Sequence, residues 1–167
     1  MSETDKIYLV GFMGAGKSTL ARALGARLGW RVEDVDEQIE AREQRSIAEI
    51  FRNHGEAYFR ALERNVLLGL IPLRHTVVAT GGGTFVDPEN RAAMLADGIV
   101  VWLDLPFEAV LQRVPTDGRR PLATDQADLH RLYALRRAAY QLAHLRFDAC
   151  QAPVEELVER VLDRLGW

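Results

Sequence analysis

Gly11-Phe12-Met13-Gly14-Ala15-Gly16-Lys17-Ser18 fits G-x-x-x-x-G-K-[ST] in full, and Thr19 follows. The apolar run Ile7 to Val10 leads into it, and a helical pattern from about Lys17 to Leu28 leads out. Glycines let successive backbone N–H groups turn inward around phosphate oxygens, and the following helix adds the positive end of its dipole. Gly14, Ala15, Gly16, Lys17, Ser18 and Thr19 are therefore candidate ATP-binding residues, with Lys17 reaching the β- and γ-phosphates and the Ser18 hydroxyl ligating Mg2+. The bland alternative is a glycine-rich turn with a chance Lys-Ser. A complete octet between strand and helix disfavours it. The motif selects a nucleoside triphosphate and leaves the acceptor open.

Outward from this loop, short apolar runs alternate with longer helical patterns. Strands are expected at Ile7–Val10, Val32–Val35, Thr76–Ala79 and Ile99–Leu103, with a weak one near Arg146–Asp148. Helices are expected from Lys17 to Leu28, in two or three pieces between Asp36 and Leu70, and from Pro88 to Leu95 with Asp87 as N-cap. Further helices fall at about Phe107–Arg113, Asp128–Leu145 and Val154–Leu165. Breaks in the long helical region are expected near Arg45-Ser46 and His54-Gly55. Strands alternating with helices predict a three-layer α/β fold, a parallel sheet of about five strands flanked by helices. Ligands of such sheets sit beyond the carboxyl ends of the strands.

Three features at those ends bear on the acceptor. Asp34 and Asp36 lie two residues apart, and strand alternation would point both the same way. One carboxylate can then hold the metal's water shell while the other accepts a proton from an attacking hydroxyl. A solvated acidic turn with Asp36 as a helix N-cap is the competing reading. Gly81-Gly82-Gly83 after a strand is costly in chain entropy, and close approach of a ligand to bare backbone would justify it; an ordinary flexible turn would not. Arg60 lies in a helical pattern, either as an anion ligand or as a surface arginine paired with Glu56 or Glu63.

The phosphate loop through Thr19, Asp34-x-Asp36, Phe59-Arg60-x-x-Glu63, Thr80-Gly81-Gly82-Gly83 and Arg119-Arg120-Pro121-Leu122 follow one another in the order seen in shikimate kinases, and the chain resembles that family from about residue 6 to residue 165. The resemblance implies a P-loop kinase fold of the nucleoside-monophosphate-kinase type and transfer of the ATP γ-phosphoryl group to the 3-hydroxyl of shikimate, with Mg2+. It implies a single domain over 1–167, with a substrate-binding segment at about 34–64 and a lid at about 113–125. By position, Asp36 resembles the residue that activates the hydroxyl and Asp34 the metal-side carboxylate working with Ser18. Arg60 and Arg136 resemble the pair that holds the substrate carboxylate, with Gly82 against the ring hydroxyls. Arg120 resembles the lid arginine acting with Lys17, and Arg113 a residue along the adenine. An alanine, Ala138, stands where the family usually has proline, and Arg137 competes with Arg136 for the carboxylate role. The loop Asp148–Pro153 lacks the basic residue that some members place near adenine. The nearest rival is a P-loop kinase for another hydroxy acid such as gluconate.

Composition agrees. The 167 residues are 48% apolar and 27% charged, with net charge −3, which argues against a nucleic-acid or membrane coat. Nineteen of the basic residues are arginine, and only Lys6 and Lys17 are lysine. Residues 31–63 carry a net −4 and residues 111–146 a net +4, an acidic acceptor side and a basic lid side. Planar arginine suits carboxylate recognition. One cysteine, Cys150, and no signal-peptide pattern point to a soluble cytoplasmic protein, and the family suggests a monomer. The four histidines show no metal-ligand spacing.

Overall fold

The computed structural model describes residues 4–113, 125–150 and 152–167. Strands β1 (Lys6–Val10), β3 (Thr76–Ala79) and β4 (Ile99–Asp104) are almost wholly buried, which is why they read as unbroken apolar runs. Strand β2 (Arg31–Asp34) and strand β5 (Leu145–Asp148) flank them as half-buried edges. The order is β2-β3-β1-β4-β5 and every neighbouring pair is parallel. This is the five-stranded parallel sheet expected.

Helix α1 (Lys17–Leu28) packs on β1, β2 and β3 and against α7 (Val154–Leu165). Helices α4 (Pro88–Asp97), α5 (Phe107–Arg113) and α6 (Gln126–Tyr140) follow strands β3 and β4, with Asp87 capping α4 ahead of Pro88. Between β2 and β3 run α2 (Val35–Glu43) and the long α3 (Ile47–Leu70). A Ser46–Glu49 capping box starts α3, and Gly55, at φ 83°, kinks it without ending it.

Most boundaries fall within two residues of expectation, and two departures bear on the site. Helix α6 stops at Tyr140, and Leu145 already belongs to β5. No glycine or proline marks that end. The tertiary setting does, because the Val100 N–H donates to His144 Nδ1 and fixes the chain beside β4. The strand expected at Val32–Val35 ends at Asp34, and Asp34, not Asp36, is the N-cap of α2, accepting from the Glu37 N–H at 3.1 Å. Asp36 stands in the first helical turn, so strand alternation is not what brings the two carboxylates together.

Candidate active site

The loop after β1 wraps as its glycines allow. Gly14 and Gly16 take φ of 83° and 92°, and Gly16 caps α1 in the left-handed region. A Cβ on Gly11 would stand 2.6 Å from the Leu103 carbonyl oxygen, so the loop seats on β4 only with glycine there. The Lys17 ammonium donates to the carbonyls of Gly11 (2.6 Å) and Phe12 (3.1 Å). Its surroundings of protein pull its pKa down to about 8, against the attraction of Asp36 and Asp34. The Ser18 hydroxyl donates to Asp34 Oδ2 at 2.6 Å.

Two cavities meet beyond the strand ends. One, of about 360 Å³, is lined by Gly14, Gly16, Lys17, Ser18, Thr19 and Asp34. The other, of about 150 Å³, is lined by Arg60, Glu63, Arg136 and the apolar Phe51, Phe59 and Leu132. Asp36, Gly81, Gly82 and Met13 line both. Asp36 Oδ1 is sealed from solvent and has no hydrogen-bond partner among the described residues. Burial pushes the Asp36 carboxyl up to about 6, with Lys17 pulling the other way and Asp34 and Glu63 adding to the rise.

The triple glycine turns out to seat side chains. A Cβ on Gly81 would stand 2.8 Å from Asp36 Oδ1, one on Gly82 2.6 Å from Arg136 Nη1, and one on Gly83 2.6 Å from both Arg60 Nη1 and Nη2. The expectation was a ligand against bare backbone. What the backbone first admits is three charged groups of the chain itself, one per glycine. Tyr140 donates its hydroxyl to the Gly82 carbonyl and, being buried, is held well above the usual tyrosine range.

Arg60 donates through Nη1 to both oxygens of Glu63, at 3.0 and 3.2 Å, and through Nε to Glu56 at 3.4 Å. The pair with Glu63 is no surface ion pair, because the Glu63 side chain is 1% exposed. Arg136 is buried, which lowers its pKa, and its guanidinium lies 5.7 Å from the Phe12 ring centre. Its neighbour Arg137 turns away to Asp104 Oδ1 (2.5 Å) and the Trp102 ring (4.9 Å). Of the two adjacent arginines, Arg136 faces the cavity. Arg113 donates to the Gly14 carbonyl (3.3 Å) and approaches Cys150 Sγ (3.9 Å), linking the phosphate loop to the loop after β5. Arg120, with Arg119, Pro121 and Leu122 and all but the ends of the expected lid, lies outside the described residues.

The donor set suits a hard divalent cation. Ser18 and Asp34 present oxygen only, and among the described residues no group of three or more His, Cys, Asp or Glu converges on a metal position. Mg2+ takes one or two protein oxygens and completes its shell with phosphate and water. Reasoning from sequence did not assign the apolar lining, nor Thr84, whose buried hydroxyl donates to Glu63 Oε2 at 2.9 Å. The three-residue spacing of Arg60 and Glu63 on one helix was the available signal for the first part of that network.

A family model described as shikimate kinase matches residues 13–166. A shikimate kinase of Persephonella marina is 39% identical over 160 residues, 95% of this chain and 98% of its own. One of Thermosynechococcus vestitus is 44% identical over 159 residues, 95% of this chain and 86% of its own. Among solved structures, a shikimate kinase of Acinetobacter baumannii in complex with shikimate superposes with a TM-score of 0.91 at 36% identity, covering 98% of this chain and 93% of that one.

Proposed function

The chain belongs to the shikimate kinase family, and on that premise we propose that it transfers the γ-phosphoryl group of ATP to the 3-hydroxyl of shikimate, giving shikimate 3-phosphate and ADP. The observation that carries the assignment of roles is Asp36, which lines both cavities and holds an oxygen without a partner among the described residues. The larger cavity takes the phosphates and the smaller takes the acceptor. Arg60 and Arg136 clamp the carboxylate of the acid, since two guanidiniums offer the paired donors that a planar carboxylate matches. Phe51, Phe59 and Leu132 cover the faces of a carbon ring. That leaves the attacking hydroxyl beside Asp36. Asp36 takes its proton, the freed oxygen bonds to the γ-phosphorus, and the bond from that phosphorus to the β-γ bridging oxygen breaks, leaving ADP.

Lys17 lies on the carbonyls of its own loop and must turn from them to meet the phosphates, where its charge offsets what develops on the leaving oxygen. Ser18 and Asp34 would hold Mg2+; when bound, the ion neutralises phosphate charge and fixes the γ-phosphoryl group for in-line attack. By family likeness Arg113 lies along the adenine and Arg120 closes over the phosphates. The positions proposed come from one chain, so a monomer is a sufficient working unit. Among the described residues no helix is long and apolar enough to cross a membrane. Dependence on ATP and the lone, exposed cysteine suit a cytoplasmic setting.

The test is ADP release by the purified chain with Mg-ATP against shikimate, quinate, gluconate and nucleoside monophosphates. Stimulation by shikimate above the rest is expected. Stimulation by gluconate or a monophosphate in its place would overturn the assignment.

A further inference from the structure

Thr84 closes the turn that carries the three glycine seats. Its backbone N–H donates to the Gly81 carbonyl at 3.3 Å, and its hydroxyl accepts from the Gly81 N–H at 3.1 Å. The hydroxyl's single proton goes to Glu63 Oε2 at 2.9 Å. The direction of the chain is thereby fixed: Gly81 N–H to Thr84, Thr84 O–H to Glu63, and Glu63 held by Arg60. Thr84 and Glu63 are both fully buried, so each depends on its protein partners more than a surface residue would. One end of this chain is the backbone against which Asp36 rests, and the other is the guanidinium that rests against Gly83.

We propose that Thr84 is a positioning residue that locks the anion clamp to the proton acceptor. Its hydroxyl holds Glu63 in the orientation that aims Arg60, and holds the glycine turn on which Asp36 stands, so the two keep a fixed separation. The proposal rests on the roles given above to Arg60 and Asp36. Valine has nearly the shape of threonine, but in its place the Gly81 N–H loses its side-chain acceptor and Glu63 Oε2 keeps only one of these two donors, Arg60 Nη1 at 3.2 Å. The Arg60–Glu63 pair then loses its tie to the glycine turn, and its aim relative to Asp36 is no longer fixed. The hydrogen bonds of Lys17 and Ser18 given above do not run through Thr84 or Glu63, so the effect falls on the acceptor ahead of ATP.

The experiment compares Thr84→Val and Thr84→Ser with the wild-type full chain in steady-state kinetics. Thr84→Val should raise the KM for shikimate about 10-fold and leave the KM for ATP within about two-fold, while Thr84→Ser, which keeps the hydroxyl, restores the wild-type value. In a Glu63→Gln background the Thr84→Val change should add less than about two-fold, because the hydroxyl acts through that carboxylate. Thr84→Ala with calorimetric titration of shikimate answers the same question if the valine variant does not fold. A lowered melting temperature with both KM values unchanged, or a parallel rise of both, overturns the proposal. Failure of the wild type to use shikimate overturns the functional reading instead, and the same KM split is then read on the acceptor it does use.

Discussion

Lys6 opens strand β1 and Lys17, from the start of α1, reaches back to the carbonyls just beyond the strand's other end, and their surroundings differ in one respect that separates scaffold from site. Lys6 is fully buried and donates to the carbonyls of Leu70 (2.6 Å) and Ile71 (2.8 Å) and to Asp97 Oδ2 (2.7 Å). Asp97 also takes the Tyr8 hydroxyl (2.6 Å) and Arg74 (3.0 Å). Burial pulls Lys6 below the usual lysine range, with Asp97 pulling back. Burial pushes Asp97 up, and its hydrogen bonds more than reverse that. Every proton of this ammonium has an acceptor. Lys17 is also pulled down by burial, but among the described residues it leans on two carbonyls of its own loop, and Asp36 Oδ1 nearby has no partner among them. Buried polar groups that are fully paired hold the fold; buried groups left incomplete are held in readiness for a ligand.

The largest effect that tests this contrast is at the incomplete end. Asp36→Asn keeps the shape and removes the proton acceptor, so turnover should fall at least about 100-fold, the scale of losing a general base. ATP affinity, measured by titration, should stay nearly unchanged. Normal turnover would remove Asp36 from the chemistry.

At the saturated end the loss should be one of stability. Lys6→Met leaves Asp97 and the carbonyls of Leu70 and Ile71 without their ammonium, and breaking a buried pair in this way costs about 3 kcal/mol. For a chain of this size that lowers Tm by roughly 6–12 °C. Turnover per folded molecule, assayed well below the transition, should match the wild type. If turnover collapsed while Tm held, Lys6 would belong to the site and the contrast would be broken.

The same contrast shows what is legible in the sequence. The phosphate loop and the buried strands are local: a glycine octet and runs such as Ile99-Val100-Val101-Trp102-Leu103 carry their own meaning. The limits of α1, α5 and α7 follow from pattern for the same reason. The end of α6 does not, because residues 139–143 contain no breaker and the stop comes from the β4–β5 pairing. Lys6 reads as an ordinary polar residue before a strand, since its three acceptors lie at least 64 residues away. Arg136 and Arg137 are neighbours in sequence but about 100° apart around a helix, and only the position of Asp104 tells which faces the cavity. The triple glycine signals close approach, but not that Asp36, Arg136 and Arg60 make it.

A smaller effect is the dependence of rate on pH. With Asp36 at about 6 and Lys17 at about 8, the free protein has the acceptor ionised and the ammonium charged only between those values. The pH profile of kcat/KM, which reports the free enzyme, should be bell-shaped with limbs near them and fall about 10-fold per pH unit beyond either. In the Asp36→Asn variant the residual activity should lose the acid limb. Retention of that limb would assign it to another group.

The smallest effect is the most direct comparison of the two ends, because it has the opposite sign to the Lys6 loss. Folding raises the Asp36 pKa from the ordinary 3.8 to about 6, so between those values the folded chain holds the proton more tightly than the unfolded chain. The stabilisation this brings is complete below about 3.8 and is lost as pH rises through about 6. At pH 7.5 both states are ionised, and the folded state bears the cost of a carboxylate with one oxygen sealed and, among the described residues, without a partner. Asp36→Asn removes that cost and forfeits some attraction for Lys17, which leaves a net gain of about 1 kcal/mol, or roughly 2–4 °C in Tm at pH 7.5. By pH 4 the wild-type carboxyl is itself protonated in the folded chain, and the advantage should shrink toward zero. Calorimetric melting at the two pH values reads the difference directly. A variant less stable than wild type at pH 7.5 would place Asp36 with Lys6 among charges that hold the fold, and incompleteness would cease to mark the site.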